Sequence, residues 1–194
     1  PGSLKARLCR EGAARTKAFC AENGIAFDQC GKLVVATNPL ELERLEALEG
    51  RAGQNGIAVG RLDARALAER EPNVSGLGAL LVKDTGIVDY KRVCAALAQK
   101  LKDRGAEVLT GTRVTAIRET ASGVHIAAGD NQWRASRLVV CAGLQADRLA
   151  MMAGLSIRHR IVPFRGEYYV LPRERAGLVK HLIYPVPDPD LPFL

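Results

Sequence analysis

The strongest constraint on the fold of this chain is the apolar run at 138–141, which breaks at Ala142-Gly143 and leads into a short helix. The pattern predicts a buried strand, a turn and a helix N-terminus, where backbone N–H groups can face a phosphate or another ligand anion. The sequence of 194 residues contains no G-x-G-x-x-G motif. The chain therefore has features of the second half of a dinucleotide-binding fold without the glycine-rich turn of the first half.

Charge and hydrophobic content restrict the class of protein. The chain is 47% hydrophobic and 25% charged, enough to bury the core of one domain or two small ones. Its net charge of +7 favours an anionic partner, either a small di-acid or an anionic membrane surface. Because the 28 Lys and Arg residues are dispersed among 21 acids, we expect no nucleic-acid partner. No apolar run approaches the ~20 residues of a membrane span.

The cysteine pattern favours a reduced, cytoplasmic protein with buried thiols. None of the five cysteines forms a C-x-x-C pair, and no cluster of His, Cys or carboxylates has metal-ligand spacing. The cysteines are Cys9, Cys20, Cys30, Cys94 and Cys141. The chain begins with proline, so we expect it to be a piece cut from a longer protein or a processed product.

Helix signals dominate the first half of the chain. Four helices are predicted to begin after the N-cap residues Ser3, Asn38, Asp63 and Asp89. The first should end at Gly24, the second at Gly50, the third before Glu71-Pro72, and the fourth at Arg104-Gly105. A strand-like stretch from Ile25 to Thr37 separates the first two helices.

Strand signals dominate the second half. Short apolar segments separated by glycine turns predict an antiparallel meander, followed by the strand at 138–141 and a final aromatic-rich block of strands. The meander segments are 107–109, 114–118, 124–127 and 133–135, and the final block covers 160–171 and 181–185.

Four motifs in this order resemble the second half of the D-amino-acid-oxidase-like FAD-dependent oxidoreductases, and within that family the L-2-hydroxyglutarate oxidase or dehydrogenase group. The motifs are Pro1–Ala6, Asp84–Asp89, Val139–Leu144 with Asp147-Arg148, and Pro163–Tyr169. The resemblance covers the whole chain. It implies an α/β fold with α+β character, in which a partial Rossmann-like FAD-binding domain is joined to an antiparallel-sheet substrate domain.

The same resemblance implies domain boundaries. Residues 1–24 and 85–155 would belong to the FAD-binding domain, and 25–84 and 156–194 to the substrate domain. Enzymes of this family begin with a glycine-rich βαβ unit and end with a segment that covers the flavin. Neither is present in this chain. We therefore expect FAD in the longer protein and no retained FAD in the chain alone.

Cofactor-binding residues are carried over from the family by position. Arg113 and Val114 would lie beside the adenine, with backbone groups at Val114 hydrogen-bonded to it. Cys141, Ala142 and Gly143 would lie beside the pyrophosphate and ribitol, where small residues permit close backbone approach. The alternative for the last three is an ordinary strand-to-helix turn.

Arg165, Tyr168 and Tyr169 are the candidate substrate-binding residues. A guanidinium can bind a carboxylate through two parallel hydrogen bonds, and tyrosine hydroxyls can complete the site. In a strand, Arg165 and Tyr168 would point to opposite faces unless Gly166 forms a bulge. The alternative is a surface arginine on an edge strand beside two core tyrosines.

The candidate catalytic base is His181, which precedes the apolar strand leading to Tyr184. In the resembling family, hydride leaves the substrate Cα for the flavin while a base takes the hydroxyl proton. The alternative places this base outside the chain. His125 alternates with apolar residues in the meander and should face solvent, and His159 lies between two arginines and should be exposed.

The resemblance implies oxidation of a small anionic 2-hydroxy acid, with L-2-hydroxyglutarate as the leading substrate. Electrons would pass to oxygen or to a membrane quinone pool, with peripheral association at the cytoplasmic face of the membrane. One alternative is an amino-acid or glycerol-3-phosphate oxidoreductase of the same fold. Another is a substrate-binding module that holds no cofactor, and its apolar surface would then promote self-association.

Overall fold

The computed structural model describes residues 2–190, so Pro1 of the first motif and residues 191–194 of the expected substrate domain lie outside it. The protein is a mixed α/β structure, as predicted. It divides into two compact units, the first built from the residues up to Arg104 together with those from Leu171 onwards, and the second from Gly105–Val170.

The elements in chain order are α1 (Leu4–Glu22), β1 (Phe27–Asp28), β2 (Lys32–Ala36), α2 (Pro39–Gln54), β3 (Gly60–Asp63), α3 (Ala64–Arg70), β4 (Gly78–Val82), β5 (Ile87–Val88), α4 (Tyr90–Asp103), β6 (Ala116–Thr120), β7 (Gly123–Ala128), β8 (Asn131–Ala135), α5 (Ala146–Met152) and β9 (Leu182–Pro185). Short 3₁₀ turns at Gly143–Gln145 and Arg173–Leu178 precede α5 and β9.

All four predicted N-caps are confirmed. Each side-chain oxygen accepts a hydrogen bond from a backbone N–H in the first turn of its helix. The pairs are Ser3 with Ala6 at 3.2 Å, Asn38 with Glu41 at 2.9 Å, Asp63 with Ala66 at 2.7 Å and Asp89 with Lys91 at 2.9 Å. The predicted end of the second helix is wrong, because α2 continues through Gly50 to Gln54. The left-handed residue that ends it is Gly56, with φ +67°.

A four-stranded sheet forms the centre of the first unit, in the order β3-β4-β2-β9. Strand β4 is antiparallel to both of its neighbours, and β9 lies parallel to β2. Alternating side chains fill a core on each face. One core contains Leu33, Val35, Leu67, Ala79 and Leu81, and the other contains Ala36, Leu45, Leu80 and Val186. Helix α3 thus packs on one face and α2 on the other.

A smaller core in the same unit joins α1, α4 and the two-stranded antiparallel sheet β1-β5 around Cys20, Ile25 and Val93. Cys20 is fully buried, as predicted for the thiols. The prediction is wrong for the cysteines at 9, 94 and 141, which are exposed. Helical periodicity correctly identifies an apolar stripe but does not reveal which part of it has a partner.

The second unit contains the predicted meander, in which β6, β7 and β8 pair antiparallel in sequence order. Three other strand predictions in this unit are wrong, because residues 107–109, 138–141 and 160–170 form no strand. Val139 is 82% exposed rather than buried. A strand needs a neighbour to complete its backbone hydrogen bonds, and within residues 2–190 no strand pairs with these segments.

No helix within residues 2–190 combines the length and apolar content needed to cross a bilayer.

Candidate active site

The turn at Ala142-Gly143 leaves backbone accessible to a ligand. Gly143 has φ +51°, a left-handed conformation that favours glycine, and a Cβ built at this position meets no atom within 4 Å. Cys141 and Gly143 are exposed and Ala142 is half-buried. A cofactor phosphate can approach backbone closely only where the neighbouring residues are small. The open space beside this glycine turn fits that requirement.

The two predicted adenine neighbours also lie in the second unit. Val114 is half-buried and Arg113 is exposed, and both precede β6, which begins two residues later than predicted. Pairing with β7 starts at the next residue, Thr115, whose N–H donates a hydrogen bond to the Ala127 carbonyl at 2.8 Å. The backbone groups of Val114 make no hydrogen bond within the described part of the chain. They therefore fit the role of contacting an adenine edge.

Asp147 connects this turn region to the segment that carries Arg165, a role that sequence reasoning missed. Its carboxylate accepts hydrogen bonds from the backbone N–H groups of Ile161 at 3.0 Å and Arg148 at 2.8 Å. The bond from Ile161 is the main reason that the pKa of Asp147 lies below its ordinary value. The hydrogen bond from Ile161 therefore holds the start of α5 against the loop, four residues before Arg165.

The three candidate substrate residues lie in an extended loop rather than a strand. Tyr168 and Tyr169 are 92% and 99% exposed, so the alternative of two core tyrosines is wrong. The Arg165 guanidinium lies 3.8 Å from the Glu167 carboxylate, and the Tyr168 ring packs beside Gly166. Since no strand forms, the alternation argument about opposite faces does not apply. A carboxylate ligand would have to replace Glu167 as the partner of Arg165.

His181 is held by a buried carboxylate in the first unit. Oε1 of Glu71 lies 2.6 Å from His181 Nδ1, and the same carboxylate accepts the backbone N–H groups of Lys180 and His181, each at 2.8 Å. Glu71 is 1% exposed. Burial alone would raise the pKa of Glu71, but the hydrogen bonds from the His181 ring and the two N–H groups outweigh it and lower this pKa.

The sequence does not identify Glu71 as a site residue, because Glu71-Pro72 indicates only a helix stop. The contact joins residues 110 positions apart, so no local signal indicates it. With Nδ1 held by Glu71, the remaining ring nitrogen of His181, Nε2, is the one that can exchange a proton. The ring borders an open depression of about 390 Å³ whose lining also includes Arg70 and Lys180.

The other two histidines have no comparable environment. His125 is half-buried rather than solvent-facing, and its Nδ1 accepts a hydrogen bond from Arg134 Nε across the β7-β8 pair at 3.4 Å. His159 is exposed, as predicted. No group of three or more His, Cys, Asp or Glu side chains among residues 2–190 is arranged to hold a metal ion. The predicted cofactor residues and Arg165, Tyr168 and Tyr169 belong to the second unit, and His181 belongs to the first.

The chain matches the family model described as FAD dependent oxidoreductase (DAO) over residues 1–194, and it belongs to that family of FAD-dependent oxidoreductases. It is 49% identical over 195 aligned residues to the L-2-hydroxyglutarate dehydrogenase of Escherichia coli K12, with 100% of this chain and 46% of the relative covered. It is 40% identical to the mitochondrial L-2-hydroxyglutarate dehydrogenase of Homo sapiens, with 100% and 45% covered. The chain thus spans about half the length of the curated relatives it matches.

A solved structure has the same fold as this chain. The FAD-bound, dithionite-reduced L-alpha-glycerophosphate oxidase of Mycoplasma pneumoniae superposes with a TM-score of 0.78 at 20% identity, covering 96% of this chain and 51% of that one. Despite low sequence identity, the described elements therefore follow an arrangement found in an FAD-containing oxidoreductase.

Proposed function

We propose that this chain is part of an FAD-dependent oxidoreductase that oxidises a small anionic 2-hydroxy acid, with L-2-hydroxyglutarate as the substrate and 2-oxoglutarate as the product. The observation that carries the proposal is the 49% identity to an L-2-hydroxyglutarate dehydrogenase along the whole chain. The Ala142-Gly143 turn supports it, because its open, left-handed backbone suits a flavin cofactor.

Bound FAD would supply the hydride acceptor of the reaction. Backbone at Arg113 and Val114 would contact the adenine, and residues 141–143 would lie along the pyrophosphate and ribitol. Arg165 would hold a substrate carboxylate, and Tyr168 and Tyr169 would add hydroxyl donors.

His181 is the proposed base for the substrate hydroxyl proton. Glu71 holds its Nδ1, so the proton would go to Nε2.

The domain division follows from the same proposal. Residues 1–24 and 85–155 contribute to the FAD-binding domain, and 25–84 and 156–194 to the substrate domain. The two compact units reflect packing within this chain and divide it at other positions. Locating the FAD and substrate contacts in the full-length protein tests the proposed boundaries.

We also propose that electrons leave the flavin for oxygen or a membrane quinone pool, with peripheral attachment of the protein to the cytoplasmic face. The net charge of +7 supports attraction to an anionic surface. Sedimentation with anionic vesicles, compared with neutral vesicles, tests this attachment. Equal sedimentation with both would contradict it.

A second candidate is oxidation of glycerol 3-phosphate, favoured by the fold shared with L-alpha-glycerophosphate oxidase. Anaerobic mixing of the full-length flavoprotein with each substrate separates the candidates. Bleaching of the oxidised flavin band by L-2-hydroxyglutarate, and not by glycerol 3-phosphate or amino acids, is expected. Reduction only by one of the others would reject the leading proposal.

The chain by itself is proposed to bind no FAD and to be inactive, because it lacks a G-x-G-x-x-G turn for the pyrophosphate. Purified chain should be colourless after incubation with FAD and gel filtration. Stoichiometric yellow flavin in the protein peak would overturn this part of the proposal.

A further inference from the structure

A row of basic side chains crosses the meander of the second unit from one edge to the other. The strand register places Arg118 of β6 opposite His125 of β7, and His125 opposite Arg134 of β8. Residues directly opposite each other on neighbouring strands share one face of a sheet. Arg118 and Arg134 are exposed, and His125 lies half-buried between them. These three residues are called the basic row below.

The basic row has no acidic partner. Within residues 2–190 no carboxylate forms an ion pair with Arg118 or Arg134, and the one side-chain hydrogen bond of the row runs from Arg134 Nε to His125 Nδ1 at 3.4 Å. Two like charges on one face with no acid between them repel each other, and a bound anion would remove this repulsion. The other strand side chains on this face are uncharged, namely Ala116, Thr120, Ala127 and Gln132.

The opposite face of the meander is turned inward. It carries Ile117 and Ala128, which are 9% and 6% exposed, and the half-buried Trp133. The apolar face therefore packs inside the second unit, and the basic row faces outward. Because Trp133 lies on the inward face, the row lacks the aromatic platform on which proteins stack nucleobases.

The hydrogen-bond donors of the row match the phosphate groups of lipids. Since His125 Nδ1 accepts the bond from Arg134, the ring proton is on Nε2, and no residue among 2–190 accepts a hydrogen bond from it. Arginine binds phosphate through parallel N–H groups. Arg118 and Arg134 stand on the two outer strands, about 10 Å apart across two strand spacings. This separation fits neighbouring headgroups on a surface better than a single phosphate ion.

We propose that the basic row docks the protein on an anionic membrane surface, where Arg118, His125 and Arg134 contact the phosphates of acidic lipids. The proposal rests on the peripheral attachment proposed above and assigns it to one face of the second unit. The net charge of +7 would attract the protein to the membrane at long range, and the row would provide the contact. Docking would keep the oxidoreductase beside a membrane quinone pool, one of its two proposed electron acceptors.

Sedimentation of the full-length flavoprotein with phosphatidylglycerol vesicles tests the docking face, with phosphatidylcholine vesicles as the neutral reference. Arg118→Gln and Arg134→Gln should each weaken binding about fivefold, and the two together about twenty-five-fold, the range for loss of one and two basic residues at an anionic surface. Arg118→Lys with Arg134→Lys keeps both charges and should retain most of the binding.

Arg7→Gln with Arg92→Gln is the matched control. It removes two exposed arginines of the first unit that also form no ion pair within residues 2–190, so the net charge falls by the same amount. The control should weaken vesicle binding far less than the loss of Arg118 and Arg134. Equal weakening by the two double variants would show that total charge alone drives attachment, and would overturn the proposal.

Two competitors separate a lipid surface from other sources of phosphate. Inorganic phosphate should release no more protein from the vesicles than sodium chloride of the same ionic strength. A DNA duplex, added at the phosphate concentration of the lipid, should leave most of the protein on the vesicles. Release by inorganic phosphate would indicate a site for a free anion, and release by the duplex would indicate a nucleic-acid surface. Either result would overturn the proposal.

The outcomes distinguish this inference from the function beneath it. Flavin content and flavin reduction by L-2-hydroxyglutarate, measured on every variant, report folding and test the oxidoreductase activity independently of vesicles. Unmodified protein that sediments equally with both kinds of vesicle rejects the attachment and the docking face together. A preference for anionic vesicles that survives the loss of both arginines rejects the docking face alone. If the variant lacking both arginines loses flavin, the two single variants decide.

Discussion

Glu71 is the clearest case of a single residue that joins distant parts of the first unit. Its buried carboxylate receives the His181 ring and two backbone N–H groups at the entrance to β9. Glu71→Gln should destabilise the chain by about 3 kcal/mol, because an amide N–H₂ would face N–H donors in a buried site. Denaturant unfolding measures this change.

Glu69→Gln is the matched control, since the exposed pair of Glu69 with Arg65 contributes within ~0.5 kcal/mol. Equal destabilisation by the two substitutions would contradict the role assigned to Glu71.

The lowered pKa of Glu71 also predicts a pH dependence. A carboxyl whose folded pKa lies below its unfolded value stabilises the protein above the unfolded pKa, and this stabilisation is lost as the pH falls through the folded pKa. Stability should therefore begin to decline below about pH 5, near the ordinary glutamate range. The difference between the original chain and Glu71→Gln should shrink over the same interval. A difference that stays constant to low pH would be inconsistent with this explanation.

Local residue chemistry explains which features the sequence could predict. The four N-caps depend on hydrogen bonds within two or three residues, so Ser3, Asn38, Asp63 and Asp89 are recognisable from sequence. The contact of Glu71 with His181 depends on the parallel pairing of β9 with β2, which brings together distant segments. Half of the candidate base site was therefore predictable, and its carboxylate partner was not.

At the scale of elements, strand predictions succeed where a partner strand is present, whether it is close in sequence, as in the meander, or distant, as for β2 and β9. The meander β6-β7-β8 needs only tight turns, whereas residues 138–141 and 160–170 have strand-like composition without a neighbour. Apolar, β-branched composition thus indicates a capacity to pair rather than a completed ladder. The predicted cofactor turn keeps its glycine geometry at Gly143 even though the preceding strand does not form.

Asp147 should determine the order of the loop that carries Arg165. Asp147→Asn replaces one acceptor oxygen by an N–H₂ group and weakens the bond from the Ile161 N–H. Amide hydrogen exchange should become severalfold faster at Ile161 and in the residues that follow it. Asp130→Asn, at an exposed turn of the meander, is the control and should leave that exchange unchanged. Protection that is identical in Asp147→Asn would show that other contacts order the loop.

At the scale of the whole molecule, apolar surface able to promote association is exposed on helix α4, where the sequence predicts an inward face. Helix α4 buries Val93, but Leu97 and Leu101, which periodicity assigns to the same inward face, are 47% and 49% exposed. Together with Tyr90 and Cys94 they form an exposed stripe at helical spacing. Contiguous apolar surface of this kind promotes association, so the isolated chain should form oligomers as its concentration rises.

Light scattering across a concentration series measures this association. Replacing Leu97 and Leu101 together by Gln should shift the distribution towards monomer, because it removes the apolar area that association would bury. Lys102→Gln on the same helix is the control and should leave the distribution unchanged. A reducing buffer separates apolar association from disulfide formation through exposed Cys94. A chain that stays monomeric at all concentrations would show that the stripe of α4 is too small to drive association.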